Sequence, residues 1–253
     1  MPSKWALKFE LKPGTWVHVP TTETITLGIK IKKSLASRWS PPRNYYHLRS
    51  GGHVAALRVH LDNPIRLRLD IKDFFGTINR SRVTRVLKEF FGYKLAREWA
   101  NASTVPHPTI PGKFTLPFGF VQSPVIASLC LHKSTLGACL LNLKANGIAV
   151  SVYMDDILCS ADDAIKLENA LEALVMASNR SGFLLNEIKQ QGPANEISAF
   201  NIRLAEHQMF IDDMRLQEFS FSIENSQSDS QREGIFGYVN SVNTEQANKL
   251  RAL

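Results

Sequence analysis

Apolar and polar residues alternate over 24–33 (TITLGIKIKK), where Ile25, Leu27, Ile29 and Ile31 take every second position. That two-residue period predicts a half-buried strand. The stretch SRWSPPRNYY then breaks the pattern, and alternation returns over 66–71 (RLRLDI), predicting a strand that delivers Asp70 at its carboxyl end. Residues 78–99 (INRSRVTRVLKEFFGYKLAREW) shift to a helical period. Val83, Val86, Leu87, Phe90 and Phe91 share one face, Arg82, Arg85 and Lys88 fall on others, and Ser81 or Asn79 is placed to cap the start. Ser123-Pro124 opens a largely apolar helix expected over 123–141. The β-rich runs GIAVSV and ILCS flank Tyr153-Met154-Asp155-Asp156 and predict a hairpin with those four residues at its turn. Asp162 or Asp163 then caps a helix carrying Ile165, Leu167, Leu171, Leu174 and Val175, stopped by Gly182. The polar stretch 222–234 (SIENSQSDSQREG) reads as flexible. This order of elements predicts an α+β fold with an antiparallel sheet packed on helices.

Composition adds limits. With 253 residues, 44% of them apolar, the chain is large enough to build a real core in one large or two small domains. No apolar run approaches the roughly 20 residues that cross a bilayer. The start, MPSKWALKFELKPG, lacks the apolar core of a signal peptide. A cytoplasmic protein without membrane contact is expected. Cys130, Cys139 and Cys159 are odd in number and lack CxxC spacing, so they read as small buried residues rather than a disulfide or zinc framework.

The net charge of +7 is unevenly spread. Residues 1–100 carry 19 Lys and Arg against 7 Asp and Glu, a net of +12, and residues 101–253 carry 11 against 16, a net of −5. A basic half joined to an acidic half suits a chain that meets a polyanion with one region and holds cations with the other.

The adjacent Asp155 and Asp156 carry the chemistry. Like charges this close disfavour joint ionisation unless something neutralises them. Asp162-Asp163 and Asp212-Asp213 read as ordinary exposed turns, but apolar strands on either side tie Asp155-Asp156 to the core. If the strand ending in Asp70 lies beside this hairpin, three carboxylates converge on one sheet edge. Such a set suits two hard divalent cations that activate a 3′-hydroxyl and stabilise leaving pyrophosphate.

These residues resemble the motifs of reverse transcriptases. Tyr153-Met154-Asp155-Asp156 looks like their YxDD box, and Leu69-Asp70-Ile71-Lys72-Asp73-Phe74-Phe75 looks like the motif supplying the third carboxylate. Leu116-Pro117-Phe118-Gly119-Phe120-Val121-Gln122-Ser123-Pro124 resembles LPQGxxxSP, which sits under the incoming nucleotide and template. Gly182-Phe183 with Asn186 and Lys189 resembles the next palm motif, whose lysine lies near the pyrophosphate. The correspondence spans about residues 45–205. Within the family, RLDIKDFF, FGFVQSP and GYVNSVN look most like the bacterial defence-associated enzymes of the unknown-group and abortive-infection class, related to retron and group II intron enzymes.

The resemblance implies a right-hand polymerase with reduced fingers: a fingers-like basic region over 1–65, a palm over 66–205, and a short thumb-like or C-terminal segment over 206–253. It implies RNA-directed synthesis of DNA from dNTPs in antiphage defence, on an RNA template, with a structured non-coding RNA as partner. Asp70, Asp155 and Asp156, with the Ile71 carbonyl, would hold two Mg²⁺ ions, or Mn²⁺ in their place. Asp73, Phe74, Phe75, Phe118, Gly119, Gln122 and Lys189 would line the nucleotide site, with Phe75 at the steric-gate position that crowds a 2′-hydroxyl. Lys30, Lys32, Lys33, Arg38, Arg43 and Arg49, with Ser123 and Pro124, are the candidates for contacting nucleic acid or triphosphate, the alternative for each cation being solvated surface. His53 and His60 read as structural hydrogen-bonding residues.

Phe118 departs from the family, replacing the common glutamine with an apolar face, and Gln122 is the neighbour that could restore a polar contact. Ala199-Phe200-Asn201-Ile202 reads as a primer-grip strand, leaving about 40 residues for a thumb. So short a thumb points to a bound RNA, a protein partner or self-association as the source of processivity. Three alternatives stay open: template-independent or protein-primed synthesis at the same site, RNA-templated RNA synthesis, and a non-catalytic RNA-binding relic.

Overall fold

A computed structural model describes residues 3–252. The chain opens with an antiparallel hairpin of β1 (Trp5–Lys12) and β2 (Thr15–Pro20). The strand expected over 24–33 is instead part of helix α1 (Thr22–Ala36), whose first turn Thr21 caps through Thr24 N–H. The reason lies in a second period within the same residues. Leu27, Ile31 and Leu35, at helical spacing, face inward with Gly28, whereas Ile25 and Ile29 of the apparent alternation are exposed.

Helix α2 (Gly52–Arg58) leads to β3 (Ile65–Asp70), and the one-turn helix α3 (Phe74–Thr77) precedes the long α4 (Arg80–Ser103). Asn79, one of the two candidates, caps α4 through Arg82 N–H at 2.9 Å. The helix is not continuous. Gly92 breaks it with φ 71° and ψ 166°, a conformation open essentially to glycine alone. Gly92→Ala is expected to cost about 1–2 kcal/mol, read as a lower denaturation midpoint with an unchanged m-value; an unshifted midpoint would show that the break tolerates a side chain.

A small hairpin of β4 (Val105–Pro106) and β5 (Phe114–Thr115) follows. The single helix expected over 123–141 is two, α5 (Ser123–His132) and α6 (Thr135–Ala145), bent by 70° where Ser134 caps the second. No single helix among the described residues is long and apolar enough to cross a membrane. The predicted hairpin is present as β6 (Ala149–Tyr153) and β7 (Asp156–Ala161), and α7 (Ala164–Ser181) is capped by Asp163 and ended by Gly182. Next come β8 (Gln191–Ala194), β9 (Ile197–Ala199), β10 (Ile202–Ala205) and β11 (Gln208–Ile211), then α8 (Asp213–Asn225), α9 (Asp229–Val242) and α10 (Thr244–Arg251). The flexible stretch expected at 222–234 is therefore mostly helix, interrupted only between Asn225 and Asp229, where Ser228 caps α9 through Gln231 N–H.

The central sheet is antiparallel in the order β6-β7-β3-β8. Leu67, Leu69, Ile157 and Cys159 turn one face into a core shared with α1 and α4 to α7. Leu158, on the other face of β7, joins a second cluster built from β9 to β11, α8 to α10, and Val54 and Leu57 of α2. All three cysteines are free; Cys130 and Cys159 are buried as expected, whereas Cys139 of α6 is only half-buried.

Candidate active site

The alternation of β3 decides which side chains reach the site. Leu67 and Leu69 face the core, so Arg66, Arg68 and Asp70 share the opposite face. Arg66 is 1% exposed and donates to the carbonyls of His60, Leu61, Pro64 and Asn195, clamping the start of the strand. At the far end, Asp70 stands directly across from Asp156 in register, and Asp156 pairs in turn with Tyr153 across the hairpin. Met154 and Asp155 form the two-residue turn, with Met154 at φ 60°. Ile71 N–H donates to the Asp155 carbonyl at 2.9 Å, and Ile71 pairs with Leu185, so the backbone itself joins the three aspartates.

Carboxylates facing each other across strands repel. Two cations offset this. Lys189 Nζ lies 2.9 Å from Asp70 Oδ2, with Asn186 Nδ2 donating to Oδ1 at 3.2 Å. Arg68 places Nε and Nη2 at 2.9 and 2.8 Å from Asp156 Oδ1, and its Nη1 donates to the Ser198 carbonyl at 2.7 Å. Asp155 makes no ion pair among the described residues. Burial, with Asp156 and Asp70 adding to it, pushes its carboxyl up to about 6. Burial also raises Asp156, against the pull of Arg68.

The donors are all oxygens, which suits a hard divalent ion such as Mg²⁺. Asp70 and Asp156 are turned toward Lys189 and Arg68, and among the described residues no three acidic, histidine or cysteine side chains are grouped so as to enclose an ion. Metal binding would therefore exchange side-chain cations for metal at these carboxylates.

The hairpin turn has a support that periodicity did not reveal. Met154 N–H donates to His47 Nδ1 at 3.0 Å, and His47 Nε2 lies 2.6 Å from Ser128 Oγ, which donates to the Pro124 carbonyl at 2.8 Å. With the Ser128 proton so committed, Nε2 carries the imidazole hydrogen and Nδ1 accepts. Burial pushes His47 down to about 4, which keeps this neutral form near pH 7. His60, 0% exposed, bridges Ser151 and Ser160 at 2.8 Å each, and His53 bonds Tyr238 at 3.1 Å, both structural arrangements.

The expected nucleotide residues divide. Phe75 meets Phe118 edge to face, with ring centroids 4.7 Å apart, and Phe118 is exposed. Gly119 is exposed beside it at φ 100°, where an added Cβ would sit 2.3 Å from the His18 carbonyl. Asp73, also exposed, folds its carboxylate over Gly76. Three expectations need correction. Phe74, 4% exposed, is buried against Phe183 on the one-turn helix α3, and Phe75 beside it is nearly as buried at 5%, meeting the exposed Phe118 by its ring alone. Gln122, 1% exposed, turns inward to Ser103 and Gly28 and offers nothing to a nucleotide. Ser123 is equally buried in α5, and Pro124 is half-buried.

Lys30, Lys32, Lys33, Arg38, Arg43 and Arg49 are exposed, and none bonds to the carboxylate cluster. Arg38 is taken by the Phe90 carbonyl and the Phe91 ring, Arg49 by the Arg43 carbonyl and the Tyr46 ring. The β1–β2 hairpin, within the region expected to act as fingers, is what borders Phe118. Val17 pairs with Phe118, and His18 N–H donates to its carbonyl at 3.0 Å. The primer-grip strand expected at 199–202 is a turn between β9 and β10, with Phe200 and Asn201 both at φ 59°. Phe200 packs against Tyr153 of the β6–β7 hairpin at 5.2 Å.

Residues 28–220 match the family model described as reverse transcriptase (RNA-dependent DNA polymerase). The chain belongs to that family, and its domain is of the RNA-directed DNA polymerase, nucleotidyltransferase type. No protein with a curated description matches the sequence significantly. Among solved structures, a foamy viral protease-reverse transcriptase in complex with double-stranded DNA is similar over 97% of this chain and 38% of that one, with TM-score 0.52 and 16% identity. Telomerase from Candida albicans in complex with a fragment of telomeric RNA is similar over 90% of this chain and 46% of that one, with TM-score 0.54 and 11% identity. At these identities the likeness is one of fold, and the chain spans less than half the length of either protein.

Proposed function

We propose that the protein copies RNA into DNA, adding deoxynucleotides to a 3′-hydroxyl with release of pyrophosphate, in the cytoplasm and in bacterial antiphage defence. The observation that carries the chemistry is the register of Asp70 against Asp156, with the partly buried Asp155 next to Asp156 on the β6–β7 turn. Asp70, Asp155 and Asp156, with the Ile71 carbonyl, would hold two Mg²⁺ ions or Mn²⁺ in their place. Bound there, the ions would supply Lewis acidity to the attacking and leaving oxygens.

The chain's own residues do the rest. Lys189, which pairs with Asp70, would meet the departing pyrophosphate. Arg68 holds Asp156 in position against β9 through the Ser198 carbonyl. The basic residues 1–65 act as fingers, 66–205 as palm and 206–253 as a short thumb. A structured RNA or a protein partner would supply the grip that so small a thumb lacks. The defence assignment rests on the forms RLDIKDFF, FGFVQSP and GYVNSVN.

Purified protein with Mg²⁺, labelled dNTPs and an RNA template-primer should give an RNA-dependent DNA product that Asp155→Ala abolishes. Product formed equally without template would favour template-independent synthesis, and its complete absence, with co-purifying nucleic acid also supplied, would remove the enzyme reading.

Phe75 and Phe118 form the wall that the sugar would meet. Phe75→Ala should lower the preference for dNTP over rNTP by at least about tenfold, the scale of discrimination a tight apolar wall provides. Single-nucleotide incorporation with each substrate reads the ratio directly, and an unchanged ratio would rule Phe75 out as the gate.

A further inference from the structure

A second concentration of positive charge lies apart from the carboxylates. Because α4 breaks at Gly92, Arg80 at its start and Arg97 in its second half line one cavity of about 410 Å³, to which the turn before β5 adds Lys113. The remaining lining residues are Asn79, Ser81, Gly112 and Phe114, so no carboxylate faces the three cations. Each cation is half-buried, and none forms an ion pair among the described residues.

The arrangement is costly as it stands. Arg80 stacks on Phe114 with its guanidinium carbon 3.5 Å from the ring centroid, and its one side-chain hydrogen bond is to a neutral partner, Asn101 Oδ1 at 3.2 Å. Burial and the nearby Arg97 both push the Arg80 guanidinium down. Three like charges drawn partly out of water repel one another, and an anion among them reverses that cost. The start of α4, bordered by Asn79 and Ser81, presents the positive end of a helix to the same cavity. A planar guanidinium held on an aromatic ring keeps its free N–H groups aligned for two phosphate oxygens.

We propose that this cavity binds backbone phosphate of single-stranded RNA, as a contact outside the catalytic centre. The choice of RNA over other polyanions rests on the family to which the chain belongs. The site is read by binding alone, without Mg²⁺ or dNTPs, so a chain with no polymerase activity would still show it and the two readings fail separately.

The test is fluorescence anisotropy of a labelled single-stranded RNA oligonucleotide against salt concentration. The comparison proteins are an Arg97→Gln, Lys113→Gln double variant, the Lys113→Gln single variant, and a control with the double variant's charge change on exposed positions elsewhere, Lys144→Gln with Arg180→Gln. Each phosphate contact on single-stranded nucleic acid contributes about 0.7 to the slope of log affinity against log salt. The double variant should lose about 1.4 from that slope, while the control keeps the wild-type slope. Lys113→Gln alone, on a turn outside α4, should lose about half as much and guards against misfolding of the double variant. Equal losses in the control would reduce the effect to bulk charge and overturn the site. An unchanged RNA slope in the double variant, with inorganic phosphate protecting Lys113 from acylation, would assign the cavity to free phosphate and overturn the RNA proposal.

Discussion

Asp155→Asn is expected to cut Mg²⁺-dependent incorporation by about three orders of magnitude and, in the same protein without metal, to raise the melting temperature at pH 7.5. The first effect follows from the several kcal/mol that a correctly held metal contributes to a charged transition state, at about 1.4 kcal/mol per tenfold in rate. The second follows from where Asp155 sits. Its carboxyl is raised from 3.8 to about 6 by burial and by Asp156 and Asp70. A carboxyl whose folded value lies above its unfolded one binds its proton more tightly in the folded state. The contribution of Asp155 to stability is therefore greatest below about pH 4, falls as pH rises between the two values, and stays low above about 6. That difference corresponds to about 3 kcal/mol, which partial exposure reduces to about 2. For a domain of this size that is roughly 4–8 °C. The gain should shrink to about half at pH 5, where folded Asp155 is largely protonated already. Thermal melts at both pH values, with incorporation assays alongside, separate this from a generic asparagine effect: a gain of equal size at pH 5 and pH 7.5 would refute the electrostatic account.

That site was legible in the sequence because β3 and the β6–β7 hairpin each have one face committed to the core, and a two-residue period then fixes which side chains share the other. The same rule misled at 24–33. There Ile25, Leu27, Ile29 and Ile31 satisfy a strand while Leu27, Ile31 and Leu35 satisfy a helix, and the Thr21 cap and the close fit of Gly28 against Gln122 select the helix. The missed bend near 133–134 had a local sign in Ser134, which caps α6. The stretch 222–234 looked flexible because it is polar. It is held as helix by apolar residues beyond its ends, Phe219, Val239 and Val242, which share one cluster. The hairpin over 5–20 carried its own signal, alternating residues around Pro13-Gly14, and only its contact with Phe118 was beyond reading. Gln122 and Ser123 fit a family motif by position, but burial, which motif position does not report, removes them from the nucleotide.

His47→Leu should lower kcat by about two orders of magnitude with a much smaller change in the KM for dNTP, and His47→Asn should recover most of the loss. No local pattern marks His47, because its partner, Met154 N–H, is 107 residues away. The turn it supports holds a non-glycine residue at φ 60°, and without an acceptor that N–H loses the bond holding it there. A part-buried donor left unpaired costs about 1 kcal/mol, enough to let the turn relax and carry Asp155 with it. Misplacement of a reacting group by about 1 Å costs on the order of 100-fold. Asparagine puts an amide oxygen near the place of Nδ1 and so restores the acceptor, whereas glutamine reaches toward Ser128 and should rescue poorly. Acid gives an independent check. Folded His47 resists protonation until about pH 4 while the unfolded chain takes up its proton near 6.5, so the wild type loses stability as pH falls across that window. The asparagine variant has no proton to refuse there and should lose less. If leucine and asparagine reduce kcat equally, the imidazole serves packing alone; if asparagine restores the rate and flattens the acid loss together, the hydrogen bond to Met154 is what holds Asp155 in its working position.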